Sequence, residues 1–292
     1  MTCIAVIVTF NPKPGQLSSL IRAIETSVSK ILIVDNGSKI FKPTSSFSNK
    51  LDFITNELNM GVGYAYNQGI EYALKCNAQF LILFDQDSEP MDGLIDELSC
   101  TYLEQIAKGN KIAAIGPSYY ESNLGCVSSF LKKGLFRMVS VDTIDAFTEV
   151  DHLISSGTMI HLTSLQEVGF FEDSLFVDYV DTEWCIRANV AGFKLLGCKN
   201  AFMNHTIGLE GVTFFNQKIN MCEPIRVYYK ARNATWLIRS KHVSFNWKII
   251  LVNLIIKLFI MNVVLASRKL DRVNFFIKGV YHGLLNQMGR YK

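Results

Sequence analysis

Short apolar runs alternate with helical patterns along the first 115 residues of the chain. The runs are four or five residues long and rich in β-branched residues, and they comprise Ile4–Val8, Ile31–Val34, Leu51–Thr55, Phe80–Phe84 and Ile112–Ile115. Segments with helical spacing separate them, at Leu17–Val28, Tyr64–Leu74 and Met91–Ala107. Apolar strands of this kind are typical of a mostly parallel sheet with helices on both faces. The sequence therefore predicts an α/β fold in which ligands bind where the strands end.

Polar residues that follow these strands are the candidate ligand-binding residues, namely Thr9, Asn11, Asp35, Asn36, Asp85 and Asp87. The clearest signal is Phe84-Asp85-Gln86-Asp87-Ser88, in which a buried strand ends in two carboxylates. Such a pair can converge on a Mg²⁺ or Mn²⁺ ion, because these ions prefer carboxylate and phosphate oxygens. In the structural alternative, Asp87-Ser88 caps the next helix and Asp85 is a turn residue.

Two further segments have both a binding and a structural interpretation. Asp35-Asn36-Gly37-Ser38 can accept hydrogen bonds from a nucleobase or ribose, but it also has the composition of a turn. The glycines of Asn59–Gly63 precede a helix, so they allow a diphosphate or a sugar to approach its backbone amides. A tight turn before an ordinary helix explains the same spacing.

Acids and a histidine mark the second half of the chain. Asp178–Trp184 places three carboxylates at a predicted helix start. One of them can deprotonate an attacking hydroxyl, or all three can simply balance the helix dipole. His205 is a candidate metal or diphosphate ligand, with a structural histidine as the alternative. Arg226 begins a basic and aromatic stretch that can bind an acceptor sugar or phosphate, or form a solvated face.

Taken in order, these motifs resemble glycosyltransferase family 2, and within it the bacterial rhamnosyltransferases. The resemblance covers residues 3–235 and also includes Val8–Asn11, Asn67–Gly69, Ser156–Thr158, Asp178–Arg187 and Tyr229–Asn233. It implies a GT-A fold, with a Rossmann-like nucleotide-binding half at 1–118 and an acceptor half at 119–235. It also implies a direct displacement that inverts the anomeric configuration without a covalent intermediate.

The resemblance implies roles for individual residues. Thr9 and Asp35 would hold the nucleotide, and Asp85 would contact the ribose or the sugar. Asp87 and His205 would bind Mg²⁺ or Mn²⁺, with His205 alternatively touching the diphosphate. Further donor contacts would come from Asn11, Asn36, Gly61, Asn67 and Gly157, and acceptor contacts from Asp178, Glu183, Trp184 and Arg226.

The expected catalytic base is Asp181, which falls in the family's Glu-Asp motif. Here Val180 replaces the glutamate, and Glu183 stands where many members have aspartate. This departure leaves Asp178 and Glu183 as alternative bases.

The resemblance also implies the substrates. The expected donor is dTDP-L-rhamnose, with a UDP- or GDP-sugar as the alternative, and the expected acceptor is a lipid-linked saccharide in O-antigen or cell-wall polysaccharide synthesis. A sugar-phosphate nucleotidyltransferase is disfavoured because no Gly-rich loop with Arg and Lys follows the first strand. A processive synthase is disfavoured because it needs several membrane spans. A non-catalytic sugar-nucleotide-binding scaffold remains as the non-enzyme alternative, and a homo-oligomer is left open.

The C-terminal part, 236–292, is expected to be a helical, membrane-associating extension. From Arg226 onward the chain has thirteen Lys and Arg but one acid, Asp271, which suggests an anionic partner surface. Phe245–Ala266 is nearly long enough to span a bilayer, but a lysine such as Lys257 near the midplane costs about 2.5–3.5 kcal/mol. We therefore expect an amphipathic helix in the membrane interface, with packing on the catalytic domain as the first alternative and a true membrane span as the second. The residues expected among the headgroups are Arg239, Lys241, Arg268, Lys269 and Arg272.

Three further features bear on partners and compartment. The high apolar content of the basic segment argues against nucleic acid as its partner. The seven cysteines form no C-x-x-C pair, which predicts reduced thiols. The N-terminal apolar run lacks the basic residues that begin a signal peptide. We expect a cytoplasmic protein bound peripherally at the inner face of the cell membrane.

Overall fold

The computed structural model describes residues 2–39, 49–123, 125–141, 145–205, 209–214, 217–265 and 268–292, with the backbone alone in 209–214 and 217–221. The strands are β1 (Cys3–Thr9), β2 (Lys30–Asp35), β3 (Leu51–Thr55), β4 (Phe80–Asp85), β5 (Glu89–Pro90), β6 (Ile112–Glu121), β7 (Cys126–Val127), β8 (Phe130–Lys133), β9 (Met138–Val141), β10 (Phe147–Val150), β11 (Met159–His161), β12 (Lys194–His205), β13 (Leu209–Phe214) and β14 (Gln217–Met221). The helices are α1 (Pro14–Ile24), α2 (Val62–Lys75), α3 (Leu94–Ala107), α4 (Leu162–Val168), α5 (Val180–Val190), α6 (Pro224–Arg239), α7 (Phe245–Val264) and α8 (Lys269–Leu284).

The described strands form one large mixed sheet and two small hairpins. The path through the large sheet is β10-β12-β6-β11-β4-β1-β2-β3, with β5 and β7 added to β12 and β6. Strand β1 runs parallel to both β2 and β4, whereas β11 runs antiparallel between β4 and β6. Because the carboxyl ends of β1, β2 and β4 meet at one edge, Thr9, Asp35 and Asp85 lie along that edge. The expected α/β fold with a mostly parallel sheet flanked by helices is confirmed.

Helices cover both faces of the sheet. In β1, the adjacent residues Val6 and Ile7 are fully buried in different apolar clusters. The Val6 cluster includes Ala65 of α2 and Trp184 of α5, whereas the Ile7 cluster includes Leu20 of α1 and residues of α3. The strand is apolar at nearly every position because both of its faces are buried.

Two expected domain boundaries fall inside single elements. Residues 118 and 119 lie within β6, which runs on to Glu121, and residues 235 and 236 lie within α6. The strands β7 to β11 and the helices α6 and α8 were not assigned from the sequence. They are too short, or too mixed in polarity, to give a clear period.

The C-terminal helices pack on the catalytic part of the chain. Trp247 and Leu251 of α7 are buried in a cluster with Ile186 of α5 and Leu237 of α6. Helix α8 lies so close to α6 that a Cβ at Gly279 or Gly283 would come within 2.5 Å of a backbone oxygen of α6. The helices of the region 236–292 are therefore packed against α5 and α6.

Two asparagines of α7 form hydrogen bonds within the protein, while several of its large apolar residues are exposed. Asn253 donates to the Phe136 carbonyl at 2.8 Å, and the buried Asn262 accepts from Arg272 at 2.9 Å. The exposed residues of α7 include Val252, Ile256, Phe259 and Ile260. Arg272 is itself buried, so its expected place among lipid headgroups is wrong. By length and composition, α7 is the one described helix that is apolar enough to cross a membrane.

Candidate active site

A cleft of about 540 Å³ lies where β4 and β12 end. Its walls also come from the turn before β11, the loop that leads into α5, and the first turn of α6. The cleft brings together six of the expected site residues, namely Asp85, Asp87, Asp178, Asp181, His205 and Arg226. The other lining residues include Tyr66, Ser155, Ser156, Tyr179, Cys222 and Glu223.

Two carboxylates and one imidazole form the floor of the cleft. Ligand atoms of Asp85, Asp87 and His205 all lie within 4.8 Å of one another, and His205 Nε2 is 3.8 Å from Asp85 Oδ2. The sequence analysis placed Asp85 at the ribose or the sugar, but the geometry places it in the same cluster as Asp87 and His205. Two hard oxygen ligands and a nitrogen ligand suit a divalent cation such as Mg²⁺ or Mn²⁺. The three residues are a candidate divalent-metal site.

The environment of Asp85 also fits a cation. Burial raises the pKa of this carboxyl; the proximity of His205 lowers it, and the charge of Asp87 raises it further. The Tyr66 hydroxyl lies 3.3 Å from Asp85 Oδ1 and 2.9 Å from Ser155 Oγ, so it fixes the position of the carboxylate. A divalent cation would offset the cost of holding these carboxylates together.

Asp181 lies in the first turn of α5 and lines the same cleft. Its carboxylate accepts a hydrogen bond from the Thr182 amide at 2.7 Å, and His152 Nε2 lies 3.9 Å from the same oxygen. Burial would raise the pKa of Asp181, but His152 and the Thr182 contacts together hold it below its ordinary value. The side chain is 26% exposed. Asp181 therefore presents an ionised, accessible carboxylate at neutral pH.

The loop before α5 has an uncommon backbone. Phe176, Asp178 and Tyr179 all have φ between 61° and 66°, a region that non-glycine residues seldom adopt. The buried Asn233 of α6 holds this loop, because its Nδ2 donates to the carbonyls of Leu175, Val177 and Asp178 at 2.8–3.0 Å. Backbone strain of this kind persists where the surroundings enforce it, and it clusters at functional sites.

The other two candidate bases are paired with cations. Asp178 accepts hydrogen bonds from Arg226 Nε and Nη2 at 3.0 and 2.6 Å, and this carboxylate raises the pKa of Arg226. Glu183 is buried outside the cleft lining and accepts two bonds from Arg187, both at 2.7 Å. Of the three acids, Asp181 is the one without an Arg partner.

Glu183 and Trp184 do not line the cleft, contrary to the expected acceptor contacts. Trp184 is buried in the core on the α5 side of the sheet, and its Nε1 donates to the Gly169 carbonyl at 2.9 Å. Helix α5 turns these two residues away from Asp181 because they occupy its inner face. Both are structural residues in this arrangement.

Thr9 and Asp35 form a buried pair at the neighbouring strand ends. Thr9 Oγ1 donates to Asp35 Oδ1 at 2.9 Å, and the Ser38 amide donates to Asp35 Oδ2 at 3.0 Å. Neither residue is among the lining residues of the cleft. Strand β1 separates β2 from β4, so Asp35 and Asp85 are two strand spacings apart, about 10 Å. Asn11 accepts from the Lys39 amide at 3.1 Å and is exposed beside the same turn.

Asn36 and Asn67 use their side-chain amides within the protein. Asn36 Nδ2 donates to the Gly61 carbonyl at 3.0 Å, and its Oδ1 accepts from the Met60 amide at the same distance. Asn67 exchanges two hydrogen bonds with the backbone of Phe171, both at 2.9 Å. Both amides therefore position loops near the cleft and do not line it.

The two expected donor-site glycines are tightly packed. Gly61 has φ 93° at the start of α2, and a Cβ there would lie 2.6 Å from the Phe176 carbonyl oxygen. Gly157 has φ 76° and packs against Met203 and Pro117. Gly157 also directly follows Ser156, which lines the cleft. These positions allow the chain to turn beside the cleft, where a side chain would collide.

Several residues that shape the site were not predicted from the sequence. His152 comes from an irregular segment, and no local pattern marks it. Tyr66 and Ser155 lie close in sequence to the candidate glycines Gly61 and Gly157. The motifs that contain these glycines predict a role for the glycines and not for Tyr66 or Ser155. Cys222 and Glu223 precede α6, which was not assigned as a helix.

Comparison with known proteins agrees with this geometry. A family model described as glycosyl transferase family 2 matches residues 5–123. The chain is 34% identical over 243 residues to the dTDP-rhamnosyl transferase RfbF of Shigella flexneri, a match that covers 82% of this chain and 80% of that protein.

Solved structures with low sequence identity show the same fold. S. aureus TarS 1–349 in complex with UDP-GlcNAc has a TM-score of 0.58 at 15% identity, covering 96% of this chain and 82% of that chain. GalNAc-T7 with UDP, GalNAc and Mn²⁺ has a TM-score of 0.54 at 14% identity, covering 80% of this chain. The match spans 50% of that longer protein.

Proposed function

This chain belongs to glycosyltransferase family 2, and we propose that it transfers L-rhamnose from dTDP-L-rhamnose to a lipid-linked saccharide, with inversion at the anomeric carbon. The observation that carries the proposal is the meeting of Asp181 with the Asp85, Asp87 and His205 cluster in one cleft. The similarity to a dTDP-rhamnosyl transferase over most of the chain supports the choice of donor. The family membership makes the chain a glycosyltransferase enzyme, and the cleft holds both a candidate base and a candidate metal site.

The donor would bind along the edge where β1, β2 and β4 end. By strand spacing, Asp35 lies about 10 Å from Asp85 and Thr9 about half as far, which leaves room for a nucleoside along this edge. Asn36, Gly61, Asn67 and Gly157 shape this edge through their contacts with its loops.

Asp85, Asp87 and His205 would hold the divalent cation, Mg²⁺ or Mn²⁺. When bound there, such an ion neutralises negative charge on the departing diphosphate. Tyr66 keeps Asp85 in place through its hydroxyl, which lies 3.3 Å from Asp85 Oδ1.

Asp181 would act as the base. As the acceptor hydroxyl attacks the anomeric carbon, its proton passes to the Asp181 carboxylate while the bond between that carbon and the diphosphate oxygen breaks. The lowered pKa of Asp181 keeps it ready to accept the proton at neutral pH. Arg226 holds Asp178 away from this role by binding both of its oxygens.

The outer face of α7 supports a place at the inner membrane surface. Exposed residues such as Ile256 and Ile260 form an apolar strip, and basic residues including Lys241 and Lys269 flank the helix. A helix with these features binds in the interface of an anionic membrane. The opposite face of α7 is packed against α5 and α6, so the helix can hold the enzyme at the membrane while it stays part of the fold.

A donor comparison tests the proposal. The full chain is incubated with Mn²⁺ and dTDP-L-rhamnose, UDP-GlcNAc or a GDP-sugar, and stabilisation and nucleotide release are followed. We expect dTDP-L-rhamnose to give the largest stabilisation, with slow dTDP release that EDTA abolishes. Preferred binding of a UDP- or GDP-sugar would show that dTDP-L-rhamnose is not the donor. Binding without turnover, even when lipid-linked acceptors are present, would support the scaffold alternative.

A further inference from the structure

A second cavity of about 470 Å³ adjoins the cleft on the side of α7. The two cavities share four lining residues, namely Asp178, Tyr179, Asp181 and Cys222. Asp181 therefore stands at the junction, where a hydroxyl that enters from the second cavity reaches the base directly.

One face of α7 forms the far wall of this cavity. Leu254, Lys257, Leu258 and Met261 line it at helical positions i, i+3, i+4 and i+7. Three of these side chains are apolar, and the fourth is a lysine in their midst. The wall is amphipathic in a way that suits a ligand with a hydrocarbon chain and a charged group.

A second lysine comes from α6. Lys230 lines the cavity, one helical turn after Arg226, which lines the cleft. Among the described side chains, neither Lys230 nor Lys257 forms an ion pair. The two acids that line the same cavity already have other partners: Asp178 binds Arg226, and Asp181 has the His152 and Thr182 contacts. The cavity thus presents two cationic groups for an anion.

We propose that this cavity binds the diphosphate and the first prenyl unit of a prenyl-diphosphate-linked acceptor, with Lys230 and Lys257 as ligands of the diphosphate. The inference rests on the proposed function and adds the acceptor subsite to it. The apolar residues of α7 take the hydrocarbon chain, and the exposed outer surface of the same helix leads that chain towards the lipid phase. The saccharide lies between the lysines and Asp181.

Farnesyl diphosphate serves as the probe, and its binding to the full chain is measured by calorimetry in EDTA. EDTA removes the divalent cation through which a diphosphate would bind in the donor cleft. We expect farnesyl diphosphate to bind more tightly than inorganic pyrophosphate or farnesol, because each of these offers half of the contacts. K230Q/K257Q should weaken binding by about tenfold or more, through loss of two charge-assisted contacts.

The matched control is K248Q, which removes a lysine from the same helix but outside the cavity. Binding of dTDP with Mn²⁺ and the thermal midpoint should be the same in all three proteins. Unaltered farnesyl diphosphate binding in K230Q/K257Q, an equal loss in K248Q, or no binding to the unchanged chain would overturn the proposal. Release of dTDP from dTDP-L-rhamnose is followed in parallel, and its absence in the unchanged chain counts against the donor function alone.

Discussion

The guanidinium of Arg226 binds both carboxylate oxygens of Asp178, three residues before Asp181. This pair lies in the wall of the cleft and joins the first turn of α6 to the strained loop that leads into α5. It neutralises Asp178, the other candidate base that lines the cleft, and holds the backbone segment that precedes Asp181. The same contact therefore decides which of the neighbouring acids is available as a base.

Arg226→Met should destabilise the protein and slow turnover. It leaves the Asp178 carboxylate, which is 9% exposed, without its cation, and we expect a loss of about 2 kcal/mol in the free energy of unfolding. Asp178→Asn in the same chain removes the stranded charge and should restore part of that stability. The comparison is a double-mutant cycle by chemical denaturation, and additive losses would show that the pair is not coupled.

Asp181→Asn should retain donor binding while turnover falls by about 10²–10⁴-fold, because the amide cannot accept the proton. Stabilisation by dTDP-L-rhamnose with Mn²⁺ measures binding, and release of dTDP in the presence of acceptor measures turnover. Near-normal turnover in this variant would remove Asp181 from the mechanism.

His152→Gln should move the acidic limb of the pH profile. The histidine helps to hold the pKa of Asp181 below its ordinary value, against the effect of burial. Without it the carboxyl becomes protonated at higher pH, so the rate should begin to fall at a higher pH as the solution is acidified. The readout is kcat/KM against pH, with His161→Gln on the far side of the sheet as control. An unshifted limb would mean that His152 does not act through Asp181.

Glu183→Gln should lower stability without a direct effect on chemistry. Glu183 is buried and bonded to Arg187 and His242, and breaking a buried ion pair costs about 3–5 kcal/mol. Burial would raise the pKa of this carboxyl, but His242 and Arg187 lower it below its ordinary 4.5. Its stabilisation is therefore present above that value and lost as the pH falls through the folded-state pKa. Thermal midpoints of the two proteins should converge at low pH; a constant difference would contradict this.

Replacing the outer face of α7 should weaken membrane binding and leave the fold intact. Val252→Ser/Ile256→Ser/Ile260→Ser changes exposed residues, so the thermal midpoint should hold while flotation with phosphatidylglycerol vesicles decreases. Leu103→Ser/Ile106→Ser, on exposed positions of α3, is the matched control. Equal flotation of the triple variant and the unchanged chain would remove α7 from membrane binding.

Local patterns were informative wherever a residue follows a continuous apolar strand. Asp85 and Asp87 come directly after β4, and parallel strands bring Thr9 and Asp35 to the same edge. His205 could be placed with the two acids only through the family resemblance, because β12 joins the sheet from 120 residues away in the sequence. The fold class and the floor of the cleft were thus accessible before the structure.

The orientation of helix faces was not accessible in this way. Glu183 and Trp184 follow Asp181 within one turn, yet packing of α5 against the sheet turns them inward. In α7, Asn253 and Lys257 look like the solvent side of an amphipathic helix, but Asn253 bonds to the Phe136 carbonyl and Lys257 lines a cavity. The direction that each helix face takes depends on contacts between segments that are distant in the sequence. The local periodicity of a single sequence does not report such contacts.

Helix α6 carries Arg226 into one cavity and Lys230 into the other, and one helical turn separates them by about 6 Å along the axis. Gly279 and Gly283 allow α8 to pack closely against α6, and this packing supports α6 along its length. An acceptor whose diphosphate is bound at Lys230 must still place its reacting hydroxyl beside Asp181, on the side of the cavity that adjoins the cleft. The fixed spacing would then select acceptors by length. It would favour a short saccharide over an extended one, whatever sugars the saccharide contains.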